Sequence, residues 1–113
     1  MQTLFLLAII GHGLLHLLGP AKAFGLAALP QLMQPIAKPT ALLWLFAAAA
    51  MLATAAAIPL WPHRWWLVAL VALAASQAAI ATSWQDAKFG TLPNLALLTA
   101  IVIGQLSNRA AHA

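Results

Sequence analysis

A chain of 113 residues with five Lys or Arg, one acid and no cysteine, 65% hydrophobic and 5% charged, cannot build a water-facing surface, because a soluble domain carries about 25% charge. The missing cysteines exclude disulfides, iron–sulfur clusters, thiolate zinc sites and cysteine nucleophiles. The net charge of +4 comes from a handful of bases lacking acidic partners, so it carries no argument for a nucleic-acid partner, and none is expected.

Charges stand only at Lys22, Lys38, Arg64, Asp86, Lys88 and Arg109, and the uncharged stretches between them run 21, 15, 25, 21 and 20 residues. A helix needs roughly 20 apolar residues to cross the hydrocarbon core. Four stretches qualify, which predicts an all-α integral membrane four-helix bundle. It forms a single transmembrane domain over 1–113, with membrane lipids as its surroundings. The long apolar runs lack the alternation of barrel strands, and spanning helices bond their own backbones.

The first span is placed at 2–18, with Gly19-Pro20 as its stop. Ala21-Lys22-Ala23 has the shape of a signal-peptidase site, but the segment before the apolar run has no basic side chain and the run holds two histidines. It is read as a retained span. Residues 19–40 form a connector whose Pro30 and Pro35 break any spanning helix, so it is expected to lie in the interface. The second span, 41–59, opens after Pro39-Thr40, and Pro59 and Pro62 bracket a tight turn into the third, 65–84. Gly90 and Pro93 separate that from the fourth, 92–108.

Trp44 and Trp84 are expected at one interface and Trp61, Trp65 and Trp66 at the other, as aromatic belts. Three lysines on the 1–2 and 3–4 connections face Arg64 and Arg109 on the other side, a three-to-two excess that favours termini outside. Small residues should mediate helix contacts, with Ala72, Ala75, Ser76, Ala79 and Ser83 on the third span and Ala47, Ala50, Thr54 and Ala57 on the second.

Because spans 1 and 3 run in the same direction, their ends share a membrane side, and most of the unusual residues collect there. His12 and His16 stand at i and i+4, on one helical face. Gln77 precedes Trp84 by seven residues, Asp86 and Lys88 follow, and Asn94 opens the fourth span. Polar groups at membrane depth usually face the bundle interior and mark sites. His12, His16, Gln77, Asp86, Lys88 and Asn94 are therefore the candidates for ligand binding or proton transfer, and His12, His16 and Asp86 for a metal. A divalent metal ion or haem is the cofactor expected if there is one. Trans axial ligation means one histidine per haem, or a pair across a dimer. The competing structural readings are histidines bonded within the bundle and an Asp86–Lys88 surface pair.

Two stretches, His12-Gly13-Leu14-Leu15-His16-Leu17-Leu18-Gly19 continuing to Lys22-Ala23-Phe24-Gly25, and Trp84-Gln85-Asp86-Ala87-Lys88-Phe89-Gly90-Thr91-Leu92-Pro93-Asn94, together resemble an uncharacterised group of small bacterial four-helix membrane proteins. The resemblance implies that fold and the pairing of the two motifs as one site, and a bacterial inner membrane is the expected location. It carries no activity. The length is also similar to that of the small multidrug-resistance transporters, whose motif is a glutamate in helix 1, where this chain has His12 and His16 instead.

The leading expectation is a histidine-lined polar pocket near one interface that binds a metal ion, haem or a small polar ligand. The alternatives are an accessory subunit docking on a larger membrane complex and a dimeric small transporter.

Overall fold

The computed structural model describes residues 2–26 and 35–112 and shows only helices among them. In chain order these are α1 (Gln2–Leu15), α2 (Leu18–Ala23), α3 (Lys38–Leu60), α4 (Trp65–Thr82), α5 (Trp84–Ala87) and α6 (Thr91–His112), with a 3-10 turn at Lys88–Gly90 before α6. Four stretches, Gln2–Ala23, Lys38–Leu60, Trp65–Thr82 and Trp84–Ala111, are long and apolar enough to cross a membrane. The expected interfacial position of the 19–40 connector rests largely on residues 27–34, which lie outside the described residues.

The first helix does not stop at Gly19-Pro20. The backbone tightens at His16 and Leu17, whose N–H groups bond Gly13 and Leu14 three residues back, and then resumes as α2 with Pro20 in its first turn. Proline is tolerated there because first-turn N–H groups have no partner within the helix. The stop comes at Gly25, at φ +70. Gly25 N–H bonds Lys22 O and Leu26 N–H bonds Ala21 O. This is the paired closure that a left-handed residue makes at a helix end.

Pro39 sits in the first turn of α3, and Pro59 stands one residue before its end. Pro39 removes an N–H that would have no partner within the helix, whereas Pro59 removes the donor to the Ala55 carbonyl in the last turn, where the helix is ending. The small-residue faces behave as expected. Ala47, Thr54 and Ala57 on α3 and Ala72, Ala75, Ser76, Ala79 and Ser83 at α4 are all buried, and α3 and α4 share the most extensive contact.

The bundle has two unlike ends. At one, Phe5 meets Trp65 edge to face at 6.3 Å, and Pro62, His63 and Trp65 lie beside Gly104 and Asn108 of α6. An apolar core built around Ile9, Met51, Ala55, Leu97 and Ile101 joins α1, α3 and α6. At the other end the long helices give way to α2, α5 and the 3-10 turn. Leucines on the outer faces, such as Leu7, Leu42 and Leu106, are exposed.

Trp44 departs from the expected aromatic belt. It is 4% exposed, and a Cβ on Gly19 would come within 2.6 Å of its ring. The indole packs closely on Gly19 of α2, inside the bundle. Trp84, nearly half exposed, keeps the outward position.

Gly19→Ala should therefore push the Trp44 ring from its seat and destabilise the protein by about 1–3 kcal/mol, as overpacking does. Gly11, whose Cβ would meet nothing within 4 Å, is the control. Gly11→Ala should be neutral or stabilising by about 0.5–1 kcal/mol. Thermal unfolding of both variants in one detergent checks the contrast.

Candidate functional site

His12, His16, Ser76 and Asn94 are buried together, although they come from α1, the turn after it, α4 and α6. The tightened backbone at His16 leaves the His12 carbonyl without its usual partner four residues on. The His16 side chain takes that role, with Nδ1 donating to His12 O at 2.9 Å. In the neutral imidazole this fixes Nε2 as the acceptor. Ser76 Oγ lies 2.8 Å from it and donates.

His12 Nε2 lies 2.9 Å from Asn94 Oδ1 and donates to it, with Ser76 Oγ a more distant neighbour at 3.3 Å. Asn94 Nδ2 donates to Ser76 Oγ at 3.0 Å and to Gln77 Oε1 at 3.1 Å. Gln77 Nε2 in turn donates to Thr91 Oγ1 at 3.1 Å. The result is a continuous hydrogen-bonded chain across three membrane-length helices. The two imidazoles stand edge to face, 4.7 Å between centroids and 89° apart.

Beside this network lies a cavity of about 210 Å³ lined by both histidines, Trp44, Asp86, Phe89 and Gly90, among others. Gly90 lets the 3-10 turn close over the site, since a Cβ there would come within 2.9 Å of Ile80 Cδ1 and 3.5 Å of His12 Cε1. The residues of the two sequence stretches thus meet directly, through His12–Asn94 and through Gly90 over His12.

Of the six site candidates, His12, His16, Gln77 and Asn94 join the network and Asp86 lines the cavity. Lys88 does not join them. It is exposed, with Nζ 5.5 Å from the Phe89 ring centroid. The expected metal set of His12, His16 and Asp86 is not gathered either, since no group of three or more His, Cys, Asp or Glu comes together among the described residues. The physical reason is local: His16 Nδ1 is committed to a carbonyl and its Nε2 faces Ser76.

Three contributors escaped the sequence reading as site residues. By sequence Ser76 reads as a small contact residue and Trp44 as part of the aromatic belt, while Thr91 is only one position of the second motif. The available signal for Ser76 is a hydroxyl flanked by alanines, on the turn before Ile80 and adjacent to Gln77.

Ser76→Ala should cost about 1–2 kcal/mol, because it leaves His16 and Asn94 short of a partner in an apolar interior. Asn94→Ala should cost a similar amount. The double variant should lose clearly less than the sum, since the two side chains serve one network. Unfolding curves for the four proteins decide this, and strictly additive losses would show that the bonds are independent. No protein-family model matches the chain, and no curated protein or solved structure shows significant similarity to it.

Proposed function

We propose that the chain is an integral membrane four-helix bundle that binds a small polar or amphiphilic organic ligand beside its paired histidines, near one membrane interface. The observation that carries this reading is the cavity itself. A histidine pair that only braced helices would need the hydrogen bonds to Ser76 and Asn94, and no space beside them. Here both imidazoles, the indole of Trp44 and the protein's one acid border the same opening. The resemblance of the two motifs to small bacterial membrane proteins is the ground for placing it in a bacterial inner membrane.

An organic ligand fits better than a metal ion or haem. A metal would have to displace the carbonyl or hydroxyl partners of His16, and a divalent ion normally takes four or more ligands. A porphyrin would need far more room than about 210 Å³. The role of the histidines in binding is to present a polar, polarisable edge whose ring positions are fixed by the network behind them.

Protein taken into nanodiscs directly from its host membrane tests this by native mass spectrometry, with metal analysis and a visible spectrum on the same sample. An organic adduct is expected on the wild type. Ala87 also lines the cavity, so Ala87→Leu, which fills it, should remove the adduct, and Asp86→Asn should reduce its occupancy with little change in unfolding temperature. A ligand-free, colourless protein that copurifies with a larger assembly would support an accessory subunit instead.

Topology is tested separately. With four crossings, single cysteines at residues 2 and 111 should label from one side of the membrane and a cysteine at 88 from the other. The chain has no native cysteine to confuse the result. Labelling of residues 2 and 111 from opposite sides would exclude four crossings.

A further inference from the structure

Among the described residues, Trp44 Nε1 is the buried side-chain polar atom that has no hydrogen-bond partner. Its neighbour His16 offers a ring contact, at 5.6 Å between centroids and tilted by 49°, and no acceptor. An indole N–H withdrawn from water without an acceptor is destabilising, and phenylalanine would supply a similar ring at no such cost. Trp44 also lines the cavity. Indole nitrogen only donates, so the group that complements it must be an acceptor. This excludes an ammonium or guanidinium at that position.

The remaining surroundings narrow the class. Much of the wall is apolar, with Leu15, Leu18, Ile80 and Phe89, which favours an uncharged acceptor over an anion. The cavity, about 210 Å³, is smaller than the roughly 300–1,000 Å³ of sites that enclose a whole drug-sized molecule. Leu15 and Phe89 on its border are 59% and 73% exposed, so an apolar tail can leave past them along the outer face of the bundle. Resting on the ligand-binding reading above, we infer that the cavity holds the carbonyl head of a membrane-soluble amphiphile, with the Trp44 indole N–H as the donor that fixes it. Two sources share that chemistry: a quinone and the acyl ester of a glycerolipid.

The test uses 15N-labelled protein in a detergent without carbonyl groups, where the five tryptophans give five indole signals and Trp44→Phe identifies the one at issue. The probes are a decyl-substituted benzoquinone and a short-chain diacyl phosphatidylcholine. One of them should move the Trp44 indole proton downfield and saturably, and which one does so names the source. Trp44→Phe keeps a ring against Gly19 and should weaken that probe's affinity about 3- to 10-fold, the loss of one neutral hydrogen bond.

The inference falls if a probe binds, as seen in the histidine ring signals and in its exclusion by Ala87→Leu, while the Trp44 indole signal and the Trp44→Phe affinity stay unchanged. It also falls if neither probe moves the indole while the nanodisc sample carries an adduct, and in both cases the ligand-binding reading survives. An indole proton in contact only with a buried water overturns the inference as well. An empty nanodisc protein that responds to neither probe overturns both.

Discussion

A polar side chain in the interior of a membrane-length bundle has no water to fall back on, so each one must be satisfied by another. In this protein those demands converge on the Ser76 hydroxyl. It lies within hydrogen-bond distance of His16 Nε2 and of both polar atoms of the Asn94 amide, and through them it joins three helices that otherwise touch mainly through apolar surface. Serine serves this role because of its size: its side chain is fully buried on α4, between His16 and Asn94, and a longer polar group could not occupy the same close approach. The neighbouring glycines extend the same economy of bulk. Gly13 lets α1 lie so close to α3 that a Cβ there would stand 3.0 Å from Met51 Cβ, Gly19 seats Trp44, and Gly90 lets a turn cover His12.

The number of membrane-length stretches, their approximate limits and their contact faces were legible in the sequence, because spacing between charges and the distribution of alanine report directly on burial in an apolar medium. The meeting of His12, His16, Gln77 and Asn94 was legible too, since it follows from the parallel course of the first and third spans. Other features were not. Pro20 looks like a helix stop, and only the backbone break at His16–Leu17 turns it into a first-turn residue. Gly25 was the better stop signal, carrying the positive φ that ends α2. Trp44 lies less than two turns into α3, a depth at which an interfacial and an interior indole read alike. What distinguishes them is Gly19, on another helix. Ser76 was hidden for a related reason: in a stripe of small residues, a hydroxyl used for packing and one used as a hub have the same spacing.

The two ends of the bundle are held by different physics. Near Trp65 the helices are joined by dispersion and area, through Ile9, Met51, Leu97 and Ile101. Near Asn94 they are joined by directed bonds that require particular atoms at particular angles. Substitution among aliphatic residues of similar volume is tolerated at the first end far better than any polar exchange at the second. The cavity lies at the directed end, where the short elements α5 and the 3-10 turn leave room between the ends of the longer helices.

The bond from His16 to its own helix has a consequence for the movement of protons. With Nδ1 held on the His12 carbonyl, Nε2 is the nitrogen at which His16 can gain or release one, and that atom faces Ser76. When Nε2 is bare, the hydroxyl points its hydrogen at the ring. When Nε2 is occupied, the hydroxyl must turn and donate instead to Asn94 Oδ1, 3.1 Å away. The heavy atoms can stay where they are through this exchange. A proton arriving at Nε2 would thus turn a single O–H bond from the ring toward the amide that also holds His12.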